Sequence, residues 1–186
     1  MDTVELIDEV VYKSNGEETE LKWEQLIDIA YKQRVNLSSH AFYATPKIHF
    51  SREEEKGEPF AYHVFGTAIT EVTVDCLRGR YFIDRVHIVH DAGKSINELI
   101  DRGQVEGGLV QGIGWMTLEE LMWNEKGELC SNNLATYKVP DLHFSAFDMN
   151  IKFLEDTENP HAVMKSKAIG EPPFMYGIGT YFALKD

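Results

Sequence analysis

The sequence predicts an α+β domain in which mixed sheet elements pack with a long glycine-rich helix. Residues 62–77 and 81–91 are dominated by β-branched and aromatic side chains and flank a turn at Gly79, as expected of two paired strands. Residues 96–123 then change to helical spacing. No regular strand–helix–strand rhythm follows, which argues against a parallel α/β fold.

The remaining elements follow from the same patterns and from turn residues. Asn15-Gly16 is a strong hairpin signal between two short strands. Apolar side chains after Trp23 recur at helical spacing and predict an amphipathic helix of about three turns. In chain order the predicted elements are strands over 8–13 and 18–21, a helix over 23–34, an irregular segment over 35–60 with a charged exposed loop at 52–58, a turn at 126–127, a loop over 128–148, short strands over 151–154 and 162–164, and an apolar helix over 174–184.

Composition narrows the class of protein. The 186 residues suffice for one well-cored domain or two small lobes. A net charge of −13 argues against nucleic acid or an anionic membrane as the main partner, because phosphate binding depends on Lys and Arg. No apolar run approaches roughly 18 residues and the N-terminus does not resemble a signal peptide, so we expect a cytoplasmic protein without membrane spans. Cys76 and Cys130 cannot form a disulfide scaffold or a cysteine-rich metal site, and we expect both to be buried.

The predicted long helix contains five glycines in twelve consecutive positions. Each costs a helix about 1 kcal/mol relative to Ala, so we expect its backbone to approach another group closely. One interpretation is tight packing against a helix or sheet across Gly103, Gly107 and Gly108. The other is a bulky cofactor lying against the helix, with Gln104 and Gln111 as hydrogen-bonding groups. The residues alone leave both open.

Gly170-Glu171-Pro172-Pro173 is the most informative motif. Gly170 allows backbone conformations and close approaches that other residues do not. The prolines fix two φ angles, and we expect Pro172 to restrict Glu171 to extended geometry. A carboxylate held this rigidly suits a general base, because misplacement by about 1 Å can cost orders of magnitude in rate. The alternative is a turn whose glutamate faces water.

Other candidate motifs are rejected. The run at 93–95 lacks the first glycine of a phosphate-binding loop and is too short to surround phosphates. His87 and His90, next to Asp91, suggest a metal site, but residues three apart on a strand point to opposite faces, so we predict ordinary strand histidines. A Gly-x-Ser-x-Gly elbow does not occur in the sequence, so a serine hydrolase has no support.

In their order along the chain, the motifs resemble the molybdenum-binding subunit of the xanthine dehydrogenase and aldehyde oxidase family of molybdenum hydroxylases. The most specific part of this resemblance is the Gly-Glu-Pro-Pro core at 170–173, followed by Gln-Val-Glu-Gly at 104–107. The likeness covers essentially the whole chain. The matching segments are 42–46, 71–72, 75–77, 91–97, 103–114, 119–121, 136–140 and 166–173.

The resemblance implies hydroxylation of an electron-poor carbon in a purine or related heterocycle, with water as the oxygen source and molybdenum–molybdopterin as cofactor. It implies that Glu171 is the catalytic base that deprotonates a molybdenum-bound hydroxide as this attacks the carbon. Gln104 matches the glutamine that hydrogen-bonds the pterin. Gly103, Gly107 and Gly170 are then further cofactor-binding positions, and we expect no metal ligand from this chain.

The resemblance also implies partners. Residues 1–186 correspond to the C-terminal part of a molybdopterin-binding domain, without the upstream cofactor loops and purine-selecting residues. We therefore expect the upstream part of the molybdenum subunit and iron–sulfur and flavin domains or subunits as partners. Alone, the chain should be inactive and should not retain the cofactor. Exposed apolar residues should make it self-associate, with these candidates: Trp115, Met116, Phe174, Met175 and Tyr176.

Two alternatives accompany this hypothesis. The chain could be a non-catalytic domain of the same ancestry that acts as an interaction module, and the sequence does not separate this from the first hypothesis. It could also be an unrelated α+β protein whose glycine helix only packs. The order of the motifs argues against the unrelated protein, for which scattered matches are expected.

Overall fold

The structure is a computed structural model that describes residues 4–13, 16 and 18–186. The chain divides into two units, Met1–Ala44 and Thr45–Asp186. In the first unit, three antiparallel strands lie in chain order and precede a helix. The second and third strands and the helix agree with the prediction, whereas the first strand was not predicted. The predicted turn residue Asn15 lies outside the described residues. The elements are β1 (Val4–Ile7), β2 (Val10–Lys13), β3 (Glu18–Lys22) and α1 (Trp23–Lys32).

The second unit begins with a short hairpin that the sequence did not predict. β4 (His49–Ser51) and β5 (Lys56–Glu58) pair antiparallel inside the segment expected to be irregular. Gly57 allows this pairing because a Cβ there would lie 2.7 Å from the Cα of Phe50. The charged residues 52–58 are exposed, as predicted.

A mixed three-stranded sheet forms the centre of the second unit. β6 (Gly66–Asp75) pairs antiparallel with β7 (Arg80–His90), and β8 (Asp148–Phe153) pairs in parallel with β7. One face of β7 is buried through Val86, Ile88 and His90, whereas Val89 on the opposite face is 44% exposed. The sheet therefore needs cover on one face only, as the α+β prediction requires.

Helices provide that cover. α2 (Glu98–Thr117) is capped at its N-terminus by Asn97, whose side chain accepts a hydrogen bond from the amide of Ile100. α3 (Ile178–Lys185) packs against β6 and follows a 3-10 helix over Pro172–Gly177. Apolar residues four apart on α2 pack into the core against the sheet. The buried core contains Ile83, Val86, Ile88, Val105, Leu109, Ile113, Ala146 and Ile151.

Three sequence predictions are wrong in this unit. α2 ends before 123, because the carbonyl of Met122 accepts from the amide of Cys130 in a loop rather than continuing the helix. Residues 162–164 form turns, since the amides of residues 159, 162 and 165 bond within this segment. Cys76 and Cys130 are exposed thiols, because both lie in connections outside the core. Across the described residues, every helix is too short or too polar to cross a membrane.

Candidate cofactor and active site

One side of α2 carries two exposed glycines. Gly103 and Gly107 are exposed, and a Cβ built on either would have no atom within 4 Å. Gln104 and Gln111 lie on the same side and are exposed. Within the described part of the chain, neither amide side chain has a hydrogen-bond partner. This side of the helix therefore offers accessible backbone next to free amide donors and acceptors.

The other glycines of α2 serve packing. A Cβ at Gly108 would lie 3.1 Å from the Cβ of Pro173. A Cβ at Gly112 would overlap the carbonyl of Phe174 and lie 3.2 Å from the Cα of Gly177. The packing interpretation is confirmed at Gly108 and wrong at Gly103 and Gly107, where no described residue approaches. The cofactor interpretation stays a prediction.

Glu171 stands at the start of the 3-10 helix. Its φ and ψ are −83° and −43°, so the expected extended geometry is wrong. The helical hydrogen bond from the amide of Phe174 to the carbonyl of Glu171, 3.1 Å long, outweighs the preference imposed by Pro172. Glu171 is exposed, and its carboxylate has no hydrogen bond or ion pair recorded with any described residue.

The predicted site residues meet where Gln104 approaches Gly170. The Oε1 atom of Gln104 lies 4.0 Å from the position of a Cβ on Gly170. Gly103 and Gly107 lie on the same exposed side of α2, and Glu171 follows Gly170 directly. The fold thus brings Gln104 near Gly170, which lies about seventy positions later in sequence and directly precedes Glu171.

Sequence reasoning missed a buried ion pair between the residue after β7 and the segment that precedes Gly170. Lys167 Nζ lies 2.5 Å from Asp91 Oδ2, and the two side chains are 12% and 4% exposed. The amide of Gly93 donates to Asp91 Oδ1 over 3.0 Å. Burial raises the pKa of Asp91, but the hydrogen bonds from Lys167, Gly93 and Thr157 outweigh it and hold the pKa below its usual value. The one available signal was a lysine three residues before the Gly-Glu-Pro-Pro motif.

His90 was predicted to be an ordinary strand histidine, yet it makes a specific contact. Its Nδ1 shares a 2.7 Å hydrogen bond with the hydroxyl of Tyr176. Burial lowers the pKa of His90 despite the nearby Asp91 carboxylate, so the imidazole is neutral near pH 7. Burial, with a smaller effect of Asp91, raises the pKa of Tyr176 to about 12. As predicted, His87 lies on the opposite strand face.

The aromatic residues near the site are partly exposed. The rings of Trp115 and Phe174 have centroids 5.2 Å apart and border a cavity of about 310 Å³. Trp115 and Met175 are exposed, whereas Met116, Phe174 and Tyr176 are half-buried. Groups of His, Cys, Asp or Glu able to hold a metal ion are not found among the described residues.

Comparison with known proteins identifies the family. The sequence profile of the molybdopterin cofactor-binding domain matches residues 1–143. The chain belongs to this family. Gly103, Gln104 and Gly107 lie within the matched range, and Gly170 and Glu171 lie beyond it. The side of α2 that carries Gly103 and Gly107 fits a planar heterocyclic group such as a pterin, because an exposed backbone permits close approach.

Named relatives agree with the family. The chain is 43% identical over 164 residues to the xanthine dehydrogenase/oxidase of Felis catus, covering 88% of this chain. It is 40% identical over 169 residues to the xanthine dehydrogenase of Oryza sativa subsp. japonica, covering 87%. The chain spans 12% of the length of each relative. The resemblance found in the sequence is confirmed, and the hypothesis of an unrelated α+β protein is wrong.

Solved structures show the same fold. Quinoline 2-oxidoreductase from Pseudomonas putida 86 superposes with a TM-score of 0.66 at 20% identity, over 95% of this chain and 22% of the other. The aldehyde oxidoreductase from Desulfovibrio desulfuricans gives a TM-score of 0.57 at 28% identity, over 67% of this chain and 13% of the other. The α+β prediction is thus confirmed for this molybdopterin cofactor-binding domain.

Proposed function

We propose that this chain forms part of the active site of a molybdenum hydroxylase, a xanthine dehydrogenase or near relative, that oxidises a purine or related heterocycle with water as the oxygen source. Glu171 is its general base, and Gln104, Gly103, Gly107 and Gly170 contact the cofactor. The observation that carries the proposal is the approach of Gln104 Oε1 to Gly170, 4.0 Å from its Cβ position, which joins the exposed glycine face to the Glu171 motif.

The chain's residues supply contacts and a proton acceptor. When bound, the molybdenum–molybdopterin group would supply the two-electron redox chemistry of the hydroxylation. Gly103 and Gly107 leave the α2 backbone open to a flat ring system. The Gln104 amide can donate and accept hydrogen bonds along the edge of such a ring.

Glu171 has the properties of an unengaged base. Its residue is exposed, and no described residue is recorded as a partner of its carboxylate. Either carboxylate oxygen can therefore accept the proton released as a water-derived oxygen bonds to the substrate carbon. A positioned general base contributes roughly 10²- to 10⁴-fold in rate.

The proposal includes an assembly. We assign residues 1–186 to the C-terminal part of a molybdopterin-binding domain, with the upstream part of the molybdenum subunit and iron–sulfur and flavin domains or subunits as partners. Without them the chain is inactive and self-associates through its exposed apolar residues. The two free thiols suit the reducing cytoplasm. A non-catalytic remnant is not favoured, since the likeness to xanthine dehydrogenases extends over 87–88% of the chain.

Replacing Glu171 with Gln in the assembled enzyme tests the proposal. Gln is close to isosteric with Glu but does not accept the proton, so we expect purine turnover to fall by about 10²- to 10⁴-fold at matched molybdenum content. Glu125→Gln, at an exposed loop position, is the matched control and should leave turnover within a few-fold. Turnover of Glu171→Gln close to that of the control would remove the catalytic assignment.

A further inference from the structure

We infer that His90 and Asp91, at the end of β7, are positioning residues for Glu171. We call residues 167–176 the Glu171 segment. Asp91 contacts this segment four positions before Glu171, and His90 contacts it five positions after. Two successive residues of one strand end thus hold both ends of the segment. The inference rests on the proposed role of Glu171 as general base.

The first contact joins Asp91 to Lys167. The 2.5 Å ion pair is nearly excluded from water, and it is reinforced by the amide of Lys167, which donates to the carbonyl of Ala92 over 2.8 Å. The amide of Lys94 donates to the carbonyl of Lys165 over 3.0 Å. Side-chain and backbone bonds therefore fix the same strand end to the start of the Glu171 segment.

The second contact joins His90 to Tyr176. The hydrogen bond of 2.7 Å is accompanied by an edge-on ring contact, with centroids 5.8 Å apart and planes at 86°. Gly66, opposite His90 in β6, leaves the room that the Tyr176 hydroxyl occupies, since a Cβ there would overlap it. The imidazole is fully buried and also meets Phe153 edge-on. The end of the Glu171 segment is thus held by a rigid strand.

Between these two contacts, the position of the Glu171 carboxylate is set by the backbone of the Glu171 segment. No described residue is recorded as bonding its carboxylate. Pro173 packs against Gly108 of α2, which limits movement on one side. A shift of about 1 Å at a reacting group can cost roughly 10²-fold in rate. Loss of either contact should therefore lower the rate of the chemical step rather than substrate binding.

Amide exchange on the 186-residue chain tests the structural half of the inference. The reporters are the amides of Lys167, Ala168 and Phe174, which donate to the Ala92 carbonyl, the Tyr62 hydroxyl and the Glu171 carbonyl. We expect Asp91→Asn to speed amide exchange at Lys167 and Ala168 by about tenfold or more. Tyr176→Phe should speed exchange at Phe174 by a similar factor. The control is a core variant, Ile151→Val or Ile151→Ala. For each test variant we choose the one whose loss in free energy of unfolding is closer to that of the test variant.

The assembled enzyme tests the functional half. At matched molybdenum content, Asp91→Asn and Tyr176→Phe should lower kcat by about tenfold or more with KM within threefold, whereas the Ile151 control should not. Selective exchange together with the kcat loss supports the inference. Exchange no faster than in the control, or an unchanged kcat, overturns it. If one variant does not fold, the other provides both measurements. Normal turnover of Glu171→Gln would instead refute the base itself.

Discussion

Lys167 Nζ donates to Asp91 Oδ2 across 2.5 Å in a place where neither side chain is more than 12% exposed. The partners are 76 positions apart in sequence. An ion pair this well buried makes a small net contribution when intact but leaves an uncompensated charge when one partner is removed. The pair thus makes the end of β7 and the start of the Glu171 segment dependent on each other.

Asp91→Asn should destabilise the chain by about 3 kcal/mol near pH 7. Because the folded-state pKa of Asp91 is depressed, its contribution is present above the unfolded pKa of about 3.9 and is lost as pH falls through the folded value. The variant should therefore lose less stability than wild type on acidification. Urea unfolding at several pH values measures both effects. Asp28→Asn, in an exposed pair with Lys32, should change stability by less than about 1 kcal/mol.

Alanine at two glycines of α2 should have opposite effects. Gly112→Ala should destabilise the chain by about 2 kcal/mol or more, because the new Cβ overlaps the backbone at Phe174. Gly107→Ala should stabilise it by up to about 1 kcal/mol, since its Cβ meets nothing and Ala favours the helix. In the assembled enzyme, Gly107→Ala should nevertheless reduce cofactor content. Chemical denaturation and molybdenum analysis measure these effects, and unchanged cofactor content would contradict contact at Gly107.

Tyr176→Phe should remove an alkaline step in stability. The folded-state pKa of Tyr176 is raised to about 12, so its contribution is fully present below the unfolded pKa of about 10 and is lost as pH rises toward 12. Wild type should lose stability over this range more steeply than the variant. Tyr31→Phe, at a tyrosine 75% exposed, is the control and should keep the wild-type slope. If stability fell equally steeply with pH in wild type and in Tyr176→Phe, the raised pKa of Tyr176 would be wrong.

The isolated chain should not retain molybdopterin. Its described residues offer one glycine face and the Glu171 segment, so the ordering and desolvation costs of binding stay uncompensated. Metal analysis of the purified chain should find molybdenum far below one equivalent. Stoichiometric molybdenum in the isolated chain would refute this, provided that the assembled enzyme, measured in parallel, is loaded.

The sequence predicted the parts of the fold that depend on local pattern. β6 and β7 follow from β-branched runs on either side of Gly79, and α2 follows from the helical spacing over 96–123. The β4–β5 hairpin was missed because its exposed strands of three residues carry no apolar alternation. Local rules also failed at Glu171, where the 3-10 helix overrode the effect of the following proline.

The candidate site was predictable only in its motifs. Gln104 and the Gly-Glu-Pro-Pro segment could be selected by resemblance, but their approach is a tertiary fact. The division of the glycines is tertiary too: Gly112 and Gly107 have the same backbone requirement in sequence, and only the position of Phe174 separates them. The sequence did not indicate the contacts of Asp91 and His90, because the partners of both side chains lie more than seventy residues away in the chain.

The parallel pairing of β8 with β7 has a consequence for the order of folding. Arg85 and Asp148 are register partners 63 residues apart, whereas β6 and β7 are joined by a tight turn. Closing the longer connection costs more chain entropy, so the β6–β7 hairpin should form first. The apolar face of this hairpin would then remain exposed to solvent until α2 and β8 pack against it. A nascent chain at that stage presents Val86 and Ile88 to solvent, and this interval is where chaperone binding or aggregation should compete with assembly.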